Sequence, residues 1–221
     1  MRREQPGADD PQQLFGLWFK AAQRGDPTAA RVTGECYLRG SGVEASLEEA
    51  RRWLEVAATS DVPAMLLLAG LLLRQPAPPE DTARAIELLR QAAALGDANA
   101  QYNLGVCLRQ GLGVERDEAA GQRCYAQAAA AGHPSAQLAL GGLLAEQARS
   151  DADWREVAHW YGEAAERGHA TAMTSLGDLY ERGQGVALDR DQALTLYRRA
   201  LAAGNTAAAA SIERLDPALP A

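Results

Sequence analysis

Two series of residues run the length of this chain at one spacing, and nothing else in it restricts the fold as strongly. The first is Asp10, Ser46, Asp81, Asp117, Asp153 and Asp189, at intervals of 36, 35, 36, 36 and 36 residues. The second is Asp26, Asp61, Asp97, His133, His169 and Asn205, at intervals of 35, 36, 36, 36 and 36. A fixed period of this length is the signature of stacked structural repeats. Both series read as helix N-caps, whose side chains accept a bond from an otherwise unpaired backbone N–H. Each period therefore holds two helices, A (after the second series) and B (after the first).

The residues around the caps agree with this. Gln13, Glu49, Glu156 and Gln192 stand three positions after Asp10, Ser46, Asp153 and Asp189, the spacing of a capping box. Pro11, Pro27 and Pro134 suit the first helical position. The second series follows a glycine at Gly25, Gly96, Gly132, Gly168 and Gly204, with Ser60 the exception. Glycine there lets one helix end in the left-handed conformation before the next begins. Repeat one is a residue shorter near Thr59–Ser60.

Apolar positions repeat in the same register. Helix A carries a small residue, then Leu and another small residue: Ala64–Leu68–Ala69, Ala100–Leu104–Gly105, Ala136–Leu140–Gly141 and Ala172–Leu176–Gly177. Helix B carries Ala50–Leu54–Ala57, Ala85–Leu89–Ala92, Gly121–Tyr125–Ala128, Val157–Tyr161–Ala164 and Ala193–Tyr197–Ala200. These i, i+4 and i, i+7 spacings give one apolar stripe per helix. The small residues let backbones approach, and Leu or Tyr fills the space between them. Alanine, more than a fifth of the chain, favours helix, and scarce β-branched and aromatic residues argue against strands.

The stretch YNLGVCLRQGLGV (102–114) holds three glycines. Gly105 falls where helix A meets helix B. Gly111 and Gly113 fall in the A–B connection, where positive φ is needed, and Val114 is expected to fold back onto helix B. The connection recurs as GSGV (40–43) and GQGV (183–186). A phosphate loop would need a preceding strand and a following Lys-Ser/Thr, and neither is present. Repeats two and four replace the glycines with QPAPPED (75–81) and EQARSDAD (146–153), with Asp81 and Asp153 expected to survive as caps.

The segments 100–132 and 172–204, with their Leu-Gly pair, GxGV loop and Tyr-x-x-Ala helix, resemble the Sel1-like repeat, a relative of the tetratricopeptide repeat. The resemblance covers residues 10–214, between an N-terminal segment 1–9 expected to be disordered and a C-terminal tail 215–221. It implies an all-α fold: a right-handed α-solenoid of about five helix pairs with a flanking helix at each end. It also implies a protein that works without catalysis, as an adaptor or scaffold binding another protein or peptide on a concave surface built from the A helices. On family geometry that face comprises Arg31, Glu35, Leu66, Tyr102, Asn103, Arg109, Leu138 and Asp178. Arg109 and Asn103 are read as a clamp for a carboxylate or peptide backbone, and Tyr102 as a stiff amphipathic contact. Bacterial members include immunity proteins that neutralise secreted toxins by direct binding, which gives an alternative role. A second alternative is β-lactam hydrolysis, linked to cysteine-rich relatives. It uses Ser-x-x-Lys, which is missing: Lys20, the only lysine, has Leu17 three positions before it.

Other chemistry finds little support in the residues. A Cys107–Cys124 bond would resemble that cysteine-rich branch, but Cys36 is left over, and the three are read as small apolar residues. His133 and His169 fall in the capping register, and His159 shares no i, i+4 partner with either, so neither a metal nor a cofactor is expected. The tryptophans lie on or beside B helices, as packing residues. A net charge of −7 with no basic stripe argues against nucleic acid. The longest apolar run, 64–73, is too short to span a membrane. MRREQPGADDPQQ lacks a signal-peptide core, so the sequence as it stands reads as cytoplasmic. Trp18 and Phe19 on the first helix, if exposed, offer a surface for a homodimer.

Overall fold

The computed structural model describes residues 10–216 apart from Gln75. The expected N-terminal segment 1–9 and tail residues 217–221 lie outside the described residues. Among the described residues there are twelve α-helices and no strand. They are α1 (Pro11–Gln23), α2 (Pro27–Arg39), α3 (Leu47–Ala57), α4 (Val62–Leu72), α5 (Pro79–Ala94) and α6 (Ala98–Gln110). Then follow α7 (Glu118–Ala130), α8 (Pro134–Gln147), α9 (Asp151–Glu166), α10 (Ala170–Arg182), α11 (Arg190–Ala202) and α12 (Ala208–Leu215). Helices α2 to α11 make five A–B pairs, with α1 a lone B-type and α12 a lone A-type helix. They fall into two compact blocks. The first holds the described residues through Ala100 with Leu112–Glu115, the second Gln101–Gly111 with those from Arg116.

Most caps stand where the periodicity puts them. Asp26, Asp61 and Asp97 accept from Ala29, Ala64 and Ala100 at 2.8–3.0 Å, and His133 Nδ1 accepts from Ala136 at 3.1 Å. Ser46, Asp117 and Asp189 do the same for α3, α7 and α11. Four positions differ from expectation. His169 precedes α10 without a side-chain cap bond, its Nδ1 buried and unpaired. Asn205 accepts from Ala207 and reaches Thr174, and the last helix starts later, at Ala208.

The other two are in repeats two and four, where helix B begins three residues early. Pro79 at the first helical position starts α5. Asp81, inside that first turn, instead takes a bidentate pair from Arg51 of α3 at 2.9 and 2.6 Å. Ser150 caps α9 in a reciprocal box with Asp153.

The core is the expected stripe. Ala64, Ala100, Ala136, Ala172 and Ala208 of the A register and Ala57, Ala92, Ala128, Ala164 and Ala200 of the B register are wholly buried. Each knob meets its small partner: a Cβ added at Gly105, Gly141 or Gly177 would lie 2.6–2.7 Å from the ring of Tyr125, Tyr161 or Tyr197. At Gly34 it would lie 2.9 Å from Leu54 Cγ.

The glycine loops also show a contact that the sequence reading did not contain. Gly42, Gly113 and Gly185, all at positive φ, are the second glycines of GxGV. A Cβ on them would overlap Pro11, Thr82 and Trp154 respectively, in the first turn of the preceding B-type helix. Val186 likewise packs on the cluster of Val157, Ala158, Tyr161 and Leu179, which is largely α9 of the preceding repeat.

Candidate functional site

The A-helix residues expected to face a partner divide between the blocks. In the first, Arg31 binds Glu35 one turn on, and its Nε donates to Asp61 Oδ2 at 3.4 Å. Asp61 already caps α4 through Oδ1, so Arg31 joins α2 of repeat one to the start of α4 in repeat two. Arg39 pairs with the other Glu35 oxygen at 3.3 Å. Leu66 is half-buried on α4.

In the second block Tyr102 is half-buried between two rings. It stacks on His133 at 4.7 Å and on Tyr125 at 5.5 Å. His133 is held in turn by its capping bond to α8. Burial, then the neighbouring Tyr102, pushes the Tyr125 phenol above its ordinary range. The next residue, Asn103, is exposed.

Arg109 turns towards helix B rather than away from it. Its stem lies against Gly121 of α7, where a Cβ would overlap it, and its guanidinium stands 5.8 Å over the Tyr125 ring. Six positions along a helix turn the side chain through about 600°, which leaves Arg109 and Asn103 about 120° apart. The clamp expected of that pair is not built. Leu138 is also largely structural, packed against clusters of repeats four and five.

Asp178 lies in an arrangement that the repeat pattern does not announce. Tyr197 is wholly buried as the knob of α11. Its hydroxyl donates to Asp178 Oδ1 at 2.6 Å and lies 2.9 Å from Glu181 Oε2. One hydrogen cannot serve both carboxylates. Arg214 of α12 binds the other Glu181 oxygen and offsets the second negative charge. Arg214 therefore holds Glu181 below the usual carboxylate range. Burial first, then the two carboxylates, pushes the Tyr197 phenol far above its own. Neither Glu181 nor Arg214 was singled out from the sequence, because neither recurs from repeat to repeat.

The three cysteines are free thiols, Cys107 buried and the other two half-buried, and burial raises each above its ordinary pKa. Among the described residues no group of three His, Cys, Asp or Glu could hold a metal, and no helix is long and apolar enough to cross a membrane.

Among the described residues, five helix pairs in one register with a lone helix on either side define an α-solenoid of helical repeats. The Sel1 repeat model matches residues 27–62, 62–97, 98–133, 158–169 and 170–205, and the chain belongs to the Sel1 repeat family. Such repeats generally mediate protein binding. The fourth match covers only part of its repeat, the one whose loop and helix start depart from the pattern.

Among solved structures the chain is similar to c5321, a protective antigen of uropathogenic Escherichia coli displaying an SLR fold. Identity is 26%, with 96% of this chain and 46% of that chain covered and a TM-score of 0.79. The chain thus spans less than half of that antigen. A Sel1 repeat protein from Oxalobacter formigenes is 26% identical over 86% of this chain and 76% of its own, with a TM-score of 0.73. The immunity protein Pa5087 of Pseudomonas aeruginosa shares the fold, at 19% identity, coverage of 98% and 80%, and a TM-score of 0.54. No curated protein matches the chain.

Proposed function

We propose that the chain is a non-catalytic scaffold that binds another protein through its A-helix surface, with Tyr102 and Asn103 at the centre of the contact in the second block. The observation that carries this is the stack of Tyr102 between Tyr125 and His133. A half-exposed ring held by two stacked neighbours loses little freedom on binding, and Tyr gives apolar area with a polar tip. Exposed Asn103 beside it supplies backbone hydrogen bonding. A photo-crosslinking residue at position 103 in native cells is expected to yield one dominant adduct, lost when Tyr102→Ala is added. No adduct at 103, or an adduct indifferent to Tyr102→Ala, overturns this reading.

A second contact is favoured at α1, as a homodimer. Leu14, Leu17 and Trp18 are 41%, 66% and 40% exposed. By register Trp18 is the knob that Leu54, Leu89, Tyr125, Tyr161 and Tyr197 fill in the complete pairs, and among the described residues no helix A stands before α1 to receive it. Sedimentation of the wild type against Leu17→Glu tests it: a dimer that the substitution dissociates supports the contact, and a monomeric wild type refutes it.

A further inference from the structure

Gly162 has no place in the packing scheme. It sits in the interior of α9, where glycine is the poorest helix former after proline. The glycines at 34, 105, 141 and 177 each admit a knob, but a Cβ on Gly162 would meet nothing within 4 Å. At its register the other B-type helices carry Phe19, Glu55, Arg90, Ala126 and Arg198.

The missing side chain leaves open a groove of about 390 Å³ between α9 and α11. Its floor includes Leu176, Val186 and Leu196, and its rim carries Arg155, His159 and Arg199 against one acid, Glu166. The equivalent groove between α1 and α3 is lined mainly by Phe19, Tyr37, Trp53 and Val56, with one base, Arg52, against one acid, Glu49. The α9–α11 rim thus carries an excess of basic residues that the α1–α3 groove lacks, in a chain whose net charge is −7. Arg155 is held by Asp151 one turn back, at 2.5 Å, in an exposed pair weak enough for a second carboxylate to share the guanidinium. The repeat sets Arg199 level with Glu163, eight residues or about 12 Å up the helix axis from Arg155; with about 9 Å between neighbouring helices, the two backbone positions lie about 15 Å apart. An extended peptide covers that distance in about five residues, at roughly 3.3 Å each.

We propose that the α9–α11 groove binds a short acidic segment of a partner protein, with carboxylates on Arg155 and Arg199 and an apolar side chain in the space left by Gly162. This site is separate from the A-helix surface proposed above. Opposite charge sets orientation and encounter rate, and the apolar floor supplies the desolvated contact.

The probe is a random heptapeptide library displayed on phage and selected on the whole chain, with the enriched peptides then measured by fluorescence anisotropy. The expected result is enrichment of Asp or Glu flanking an apolar residue, and at least tenfold weaker binding to Arg155→Glu/Arg199→Glu and to Gly162→Phe. Raising NaCl from about 50 to about 500 mM should weaken binding by a similar factor. Gly162→Phe points its ring into open groove, so circular dichroism should be unchanged; if it fails to fold, the double arginine variant decides. Tyr102→Ala should bind as wild type does, which separates this site from the A-helix surface. No enrichment, enrichment without acidic preference, or undiminished binding to the arginine variant overturns the proposal.

Discussion

The A–B loops of repeats one, three and five and those of repeats two and four connect the same two helices, yet they treat their neighbours differently. In the odd repeats Gly42, Gly113 and Gly185 lay bare backbone on the first turn of the preceding B-type helix, at Pro11, Thr82 and Trp154. These three share one register position. The same position on α3 and α7 holds Leu47 and Glu118. Both are exposed, Leu47 by 55%, and no glycine loop reaches them; under the loops Thr82 is buried and Trp154 half-buried, while Pro11 stays exposed. The even repeats instead lengthen helix B to 16 residues, against 11 to 13 for α3, α7 and α11. The extra turn is started by Pro79 in one and by the Ser150–Asp153 box in the other. A second glycine in the loop is thus an instrument of repeat-to-repeat contact as well as of chain reversal.

The strongest test of that distinction separates the two glycines of one loop. Gly183→Ala should cost about 1–2 kcal/mol, chiefly the strain of a left-handed non-glycine residue, since its Cβ would only crowd the exposed Leu188 side chain at 3.2 Å. Gly185→Ala has the same strain and also drives a Cβ into the Trp154 carbonyl. It should cost about 3–5 kcal/mol. Urea denaturation midpoints compare them. Equal losses would mean that the loop is only a turn and has no seat on α9.

Within the pairs, the contrast is between repeat two, whose register sets buried Ala69 opposite buried Leu89, and the repeats that pack Gly against Tyr. Gly141→Ala should cost about 1–3 kcal/mol by crowding Tyr161. Adding Tyr161→Leu should recover most of it, because the pair then matches repeat two. Losses that merely add would show that the two positions are not coupled.

The repeat itself was legible because it recurs. Two cap series and two apolar stripes mark every helix pair, and their positions follow from the spacing. What the sequence did not show lies in single copies. The early starts of α5 and α9 depend on Pro79 and Ser150, which have no counterparts in the odd repeats and so left Asp81 and Asp153 looking like caps. Glu181 and Arg214 meet Tyr197 only once. The expected face was read as one surface, but its members are engaged in different ways. Arg31 and Glu35 pair with their neighbours, Arg109 and Leu138 pack, and Asn103 stays exposed. Helical spacing assigns a residue to a side of its helix, and long side chains such as Arg109 then bend to the nearest apolar or aromatic partner.

A smaller effect separates the two early helix starts. Ser150→Ala removes an oxygen that accepts from Asp153 N–H at 3.2 Å and should cost about 1 kcal/mol. Pro78→Ala removes no side-chain cap bond at α5 and should stay within about 0.5 kcal/mol. The α9 box should also fail in acid. The backbone N–H groups of Arg149 and Ser150 hold Asp153 below the usual carboxylate range. Its contribution is therefore present above the ordinary carboxylate pKa of about 3.9. It disappears as pH falls through the lower native value. Hydrogen exchange of the first turn of α9 between pH 5 and 2 should rise relative to that of α5 once intrinsic rates are removed, and a constant ratio would refute the box.

The smallest expected effect tests the comparison from its empty side. Leu47 occupies the seat register on a helix with no glycine loop above it, so Leu47→Lys should change stability by no more than about 0.5 kcal/mol. Thr82 is buried at the same register beneath Gly113, and its hydroxyl donates to the Pro78 carbonyl at 2.9 Å. Thr82→Lys should therefore lose clearly more, through both the covered position and the broken bond. If the two lysines prove equally harmless, burial under the glycine loop contributes nothing, and the difference between odd and even repeats reduces to helix length.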